Sequence, residues 1–344
     1  MANKIRNLIT SIDDINEEAR QYNLQSRLAV SAPESRSNPQ TAHPFLGYCS
    51  QVIGREDDVS NLVDLLIDPS NKQPLSVISV VGMGGLGKTT LVKSVEKEEK
   101  IREHFGKIMS ICVSEDFNVK RILKNMLECL SKESCSIKSE SAIMKKIKEK
   151  LENKNYLLIL DDVWNENESM KWEELRGCLS EINKNKVSRV VVTTRSTKVA
   201  STMGTRDEHV YHLKQLKQDE CWSIIKQRVF GDSSVPDQEL EQIGRQIAKK
   251  CRGVPLVANI IGASLSTRIH RHEWLSVQNS EAWDSLKDDS TGRGILGVLQ
   301  SSFDRLPDPA LKKCFAFCSI FPKDYFSGVV SRFTPSEFAD GGYG

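Results

Sequence analysis

The octapeptide Gly82-Met-Gly-Gly-Leu-Gly-Lys-Thr89 is the part of the chain whose residue types and spacing most clearly imply chemistry. It follows G-x-x-x-x-G-K-T, the pattern of a phosphate-binding loop. Gly82, Gly84, Gly85 and Gly87 let backbone N–H groups turn inward around phosphate oxygens. Lys88 has the reach for β- and γ-phosphates, and the Thr89 hydroxyl is a ligand for Mg²⁺. The flanks fit. Leu75–Val81 is apolar and β-branched and reads as a buried strand. From Thr89 and Thr90 onward the pattern opens a helix, whose N-terminal partial positive charge favours an anion. A Gly-rich turn that only joins strand to helix is the plain alternative, and the correctly placed Lys-Thr pair argues against it.

Nucleotide chemistry needs a second, acidic site on a neighbouring strand. Tyr156-Leu-Leu-Ile-Leu-Asp-Asp162 supplies one, with both carboxylates at the strand's C-terminal end, the edge where open α/β sheets bind ligands. Asp161 would help hold Mg²⁺, and Asp162 would orient or deprotonate an attacking water. Paired aspartates at a strand end also suit a turn that caps a helix. Val190-Val-Val-Thr-Thr-Arg195 is a third strand ending in polar residues, and Arg195 would reach a γ-phosphate. Taken alone, Arg195 would read as an ordinary surface arginine.

The elements that must position these groups follow from periodicity. Strands are expected at Leu75–Val81, Ile108–Val113, Tyr156–Leu160 and Arg189–Thr193, with helices at Asp57–Leu66, Val119–Leu130 and Ala142–Leu151. Strands alternating with helices imply a parallel sheet covered on both faces. From Leu213 onward strand signals fade, and helices are expected at Asp219–Phe230, Pro236–Cys251, Leu256–Ser266, Glu273–Leu286 and within Ile295–Phe321. Met1–Leu28 has the spacing of one amphipathic helix, which needs a partner to bury its face. Ser31–Ser50 reads as a Pro- and Ser-containing linker, and Ser327–Gly344 as a disordered tail.

Composition sets outer limits. A chain of 344 residues with 39% hydrophobic and 27% charged residues is expected to be globular, with two or three domains. Its net charge of +2 argues against a nucleic-acid footprint. No run approaches the roughly 18 apolar residues that span a bilayer. Nine cysteines, scattered and with no legible secretory signal, suggest thiols in a reducing cytoplasm. Cys314 and Cys318 suit a buried helix face better than a metal site. His270 and His272 lack the further ligands that a metal site requires.

The motifs, in their order, resemble the NB-ARC domain of plant intracellular immune receptors of the nucleotide-binding, leucine-rich-repeat type, coiled-coil class. Val52-Ile-Gly-Arg-Glu56 is similar to the family's first motif, and Gly82–Thr90 to its phosphate loop. Ile111-Cys-Val-Ser114 is similar to its next strand, Leu157–Trp164 to its acidic motif, and Thr193-Thr-Arg195 to its sensor. Cys251-Arg-Gly-Val-Pro-Leu256 resembles its G-L-P-L motif, with Val254 in place of Leu. Cys314–Tyr325 resembles a late motif. The resemblance implies an α/β P-loop NTPase at 51–205, an α-helical ARC domain at 206–290 and a partial winged-helix region at 291–326. Residues 1–30 would be a remnant of a coiled-coil domain, 31–50 a linker and 327–344 a tail outside the family pattern.

It also implies roles. Val52, Ile53 and Arg55 would hold the adenine end. Gly84, Gly85, Gly87, Lys88, Thr89 and Thr90 would hold the phosphates and Mg²⁺, and Pro255 would close the pocket. The expected cofactor is ADP or ATP with Mg²⁺, and the expected behaviour is a cytoplasmic switch with, at most, slow hydrolysis. The family's Met-His-Asp motif and leucine-rich repeats do not follow Tyr325, so a truncated product is expected. Three rivals stay open: a turnover ATPase, an adaptor or decoy that contacts a full-length receptor through the N-terminal helix or the winged-helix fragment, and a duplex-DNA binder acting through that fragment.

Overall fold

Continuous apolar, β-branched runs bury both faces of a sheet at once, and this is what the chain builds. The computed structural model describes residues 52–114, 117–137, 139–182, 187–231, 237–266, 270–281, 283, 295–304 and 312. Apart from Lys312, these belong to one compact unit of the chain. The strands are Leu75–Val81 (β1), Lys107–Ser114 (β2), Tyr156–Val163 (β3), Ser188–Thr194 (β4) and Val210–His212 (β5). They form one parallel sheet in the order β2-β3-β4-β1-β5.

Register fixes which residues share a face. Val77 and Leu158 both lie opposite Val190, and all three enter one core. Their neighbours Ile78, Ile159 and Val191 enter the other, as the two-residue strand period requires. Glu56–Ile67 (α1), Lys88–Val95 (α2) and Glu99–His104 (α3) cover the second face through Leu66, Leu91 and Ile101. Val119–Ser131 (α4), Glu140–Leu151 (α5) and Ser169–Ile182 (α6) cover the first through Leu123, Ile147 and Leu175. Helix α4 starts where the Asn118 side chain accepts from the Arg121 N–H, and stops at left-handed Lys132. Thr197–Thr202 (α7) leads toward β5.

Beyond the sheet come Gln218–Phe230 (α8), Gln238–Lys250 (α9), Pro255–Leu265 (α10), Arg271–Gln278 (α11) and Ile295–Asp304 (α12). Trp222, Ile225, Ile247, Val257 and Trp274 fill their common core. Ile53 and Met83 pack against that core from the sheet side. Helix α10 opens with Pro255, whose missing N–H and fixed φ suit a first turn.

The expected strands and helices form, with ends that move by one to three residues except as follows. Strand β5 was not anticipated, and it carries the sheet past residue 205. Helices α3, α6 and α7 were not anticipated either. The helix expected over Glu273–Leu286 instead ends at Gln278, and the Trp283 indole donates to the Val277 carbonyl at 2.8 Å. The N-terminal helix, the linker, the tail, Cys314 and Cys318, and the winged-helix stretch after residue 304 lie outside the described residues. His270 and His272 are exposed.

The turn into α10 joins the helices to the sheet. Gly253 has φ +70°, and its carbonyl accepts the Leu216 N–H at 2.9 Å. A Cβ there would stand 2.4 Å from the Leu216 carbonyl oxygen, which is backbone and cannot yield. Gly253→Ala therefore combines left-handed strain with a steric clash. Urea unfolding is expected to show a loss of about 2 kcal/mol or more.

Candidate functional site

The phosphate loop leaves β1 at Val81 and enters α2 at Lys88. The Gly82 N–H donates to the Thr194 carbonyl at 3.2 Å, tying the loop's start to β4. Gly85 and Gly87 hold φ of 78° and 89°, a left-handed region that side-chain-bearing residues avoid. No side chain caps α2, which leaves its first-turn N–H groups available to an anion. The Lys88 ammonium curls into the loop and donates to the carbonyls of Gly82 at 2.7 Å and Met83 at 3.0 Å. Burial, and then the nearby Arg195 cation, push its pKa down to about 8, while Asp161 pulls the other way.

The acidic pair owes its aim to a break in register. Leu160 pairs with Val192 and Val163 with Thr194, so Asp161 and Asp162 together face Thr193 in a β-bulge. Asp162 takes a left-handed φ of 57°. The Thr193 hydroxyl donates to Asp161 Oδ1 at 2.5 Å and accepts the Asp162 N–H at 2.9 Å. From the loop, the Thr89 hydroxyl lies 3.0 Å from both Asp161 oxygens. A carboxylate and a hydroxyl thus converge as hard oxygen donors, the set Mg²⁺ prefers alongside phosphate oxygens and water.

A cavity of about 440 Å³ opens here. Gly84, Gly85, Gly87, Lys88, Thr89 and Thr90 line it with Asp161, Asp162, Arg195 and Pro255. Four further lining residues were not picked out from the sequence as site residues: Cys112, Thr193, Leu256 and Asn259. Cys112 is brought there by its parallel register with Asp161. Leu256 follows Pro255, and its N–H donates to the Gly85 carbonyl at 3.2 Å. Asn259 lies one turn further along α10, and helical spacing from Pro255 was the signal that would have found it.

Val52, Ile53, Arg55 and Gly82 do not line this cavity. Arg55 is buried behind the loop instead. Its guanidinium donates to Asp58 at 2.8 Å and to the Leu86 carbonyl at 3.0 Å. The Tyr211 hydroxyl completes the brace by donating to Asp58 at 2.5 Å. Helix α1, strand β5 and the phosphate loop are thereby joined through one carboxylate.

Comparison with known proteins places these features in a family. Residues 55–234 match the NB-ARC domain family. The chain is 41% identical over 276 residues to disease resistance protein RGA2 of Solanum bulbocastanum, covering 80% of this chain and 28% of that protein. It is 30% identical over 285 residues to disease resistance protein RPM1 of Arabidopsis thaliana, covering 80% of this chain and 30% of that protein. The chain therefore spans less than a third of the length of either relative. A solved structure of Drosophila ORC bound to DNA covers 88% of this chain and 90% of its own, with a TM-score of 0.50 and 12% identity. That likeness concerns the fold alone.

Two outcomes follow from the bonds around the site. Thr193→Val leaves the Asp162 N–H without its acceptor and removes one of the two hydroxyls on Asp161 Oδ1. Urea unfolding is expected to register a loss of about 1–3 kcal/mol. Burial, and then its bond to the Asp58 carboxylate, push the Tyr211 phenol up from 10.0 to about 12. A pKa raised by folding contributes stability that is complete below pH 10 and lost as pH rises toward 12. Tyr211→Phe should cost about 1 kcal/mol at neutral pH. The gap between wild type and variant should close across that alkaline window, as followed by denaturant titration.

Proposed function

We propose, for a chain that belongs to the NB-ARC domain family, that the site holds ADP or ATP with Mg²⁺ and uses it as a conformational switch. The observation that carries this reading is the Thr89–Asp161 pair beside a lysine folded into the phosphate loop. Lys88 and the loop's N–H groups would neutralise the phosphates. Thr89 and Asp161 would hold the cation, which supplies charge compensation when bound. Asp162 is the group that would orient or deprotonate a water at the terminal phosphate, with Arg195 stabilising charge there. The adenine end is assigned to Val52, Ile53 and Arg55 by resemblance to the family. Arg55 would serve it at one remove, by fixing the Leu86 carbonyl and with it the loop.

Switching is supported by the way the helical unit meets the loop. Pro255 and Leu256 line the cavity, and the Leu256 N–H bonds the loop itself at Gly85. A ligand that alters the loop therefore acts directly on the first turn of α10, and so on the position of the helices. The domain division proposed is a nucleotide-binding unit at 51–205 extended by β5, an ARC unit at 206–290 and a winged-helix region at 291–326. The biological setting proposed is an intracellular immune receptor acting in plant defence, with the cytoplasm as its location. Among the described residues, no helix is long and apolar enough to cross a membrane.

Calorimetric titration of the full chain with ADP and ATP, with and without Mg²⁺, tests the assignment. Binding is expected for wild type, weakened by Mg²⁺ removal and abolished by Lys88→Ala. Equal binding by wild type and Lys88→Ala would overturn it. Hydrolysis well below about 1 s⁻¹ is expected of a switch, and faster turnover would mark an enzyme instead.

A further inference from the structure

Trp164 is the first residue beyond β3, and Arg195 is the first beyond β4. Their predecessors Val163 and Thr194 are register partners, so the two side chains leave the sheet next to each other. The Arg195 guanidinium lies 4.7 Å from the centroid of the Trp164 ring. On its loop side the same guanidinium runs against Gly84, where an added Cβ would stand 3.2 Å from Nη1. The cation is thus held between an indole and the backbone of the phosphate loop. Trp164 is 39% exposed, whereas Trp172, Trp222, Trp274 and Trp283 are at most 6% exposed. The chain buries its other tryptophans and keeps this one part-exposed beside Arg195, which lines the cavity.

Stacking uses the flat face of a guanidinium and leaves its N–H edge free for a two-point bond to phosphate. It also restricts a side chain that would otherwise lose much rotamer freedom on binding. Lys88, inside the loop, is already engaged by two loop carbonyls and feels the Arg195 charge. Arg195 lines the same cavity beside Gly84 and so adds a second cation for the charge of a third phosphate.

We propose that Trp164 is the positioning residue for Arg195 and that this stack sets the site's preference between nucleoside triphosphate and nucleoside diphosphate. The proposal rests on the reading of the cavity as a nucleotide site. It assigns Trp164 no contact with the nucleotide. An exposed cation–π contact corresponds to about a two- to fivefold change in affinity.

The test is calorimetric titration of the full chain with ATP·Mg²⁺ and ADP·Mg²⁺, for wild type, Trp164→Ala, Trp164→Phe, Arg195→Ala and the double alanine variant. Trp164→Ala is expected to lower the ratio of ATP to ADP affinity about threefold without moving the thermal midpoint. Trp164→Phe, which keeps an aromatic face, restores most of the ratio. The double variant is no worse than Arg195→Ala alone, as two residues acting through one contact require. An unchanged ratio in Trp164→Ala, with both nucleotides still bound, overturns the proposal and leaves the nucleotide site standing. So does an equal loss for both nucleotides accompanied by a lower thermal midpoint, which marks a merely structural tryptophan. Failure of wild type to bind either nucleotide overturns the site reading, and this proposal with it.

Discussion

A carboxylate at the rim of a parallel sheet has to be satisfied before it can be aimed, and Asp161 is satisfied from two directions. Thr193 reaches it from the neighbouring strand and Thr89 from the phosphate loop. These two hydroxyls join β4, β3 and the start of α2 at one point. The bulge that turns Asp161 and Asp162 toward the cavity is stable because Thr193 also accepts the Asp162 N–H that the broken ladder would otherwise orphan. Without this joint, the loop and the acidic strand would share a sheet edge but not a site.

The loop is held in the same way from behind. Arg55 is almost wholly buried, and a buried guanidinium is tolerated only when its charge is paired. Asp58 pairs it through Nη1, Tyr211 shares Asp58, and Nη2 donates to the Leu86 carbonyl. A flexible run rich in glycine is thereby fixed by polar contacts outside the cavity, while its inner surface stays available to an anion. The front is closed by the Leu256 N–H on Gly85. The loop is therefore touched by the sheet, by the Arg55 cap of α1 and by the helical unit together, which suits it to pass a change from one to another.

Much of the fold could be read along the chain. Leu75–Val81 needed no context, since seven apolar or small residues bounded by Pro74 and Gly82 have little alternative to a buried strand. Helices α4, α5 and α9 were legible because their apolar spacing repeats over several turns. Strand β5 escaped because Val210-Tyr-His offers only three residues, and pairing with β1, rather than local pattern, makes it a strand. Helices α3 and α7, six residues each, are too short for periodicity to declare itself.

The sequence by itself determined the chemistry: a glycine-rich loop with Lys88 and Thr89, two aspartates at a strand end and an arginine at another. Those assignments depend on residue type and local spacing, which the chain carries openly. Only the tertiary structure decided which groups meet. Cys112 and Thr193 enter the cavity through strand register, Arg55 turns to the back of the loop, and Trp164 meets Arg195 because Val163 and Thr194 are paired. The physical reason is that register in a parallel sheet is set by burial on both faces, over crossovers many residues long. No window of sequence contains both partners of such a contact.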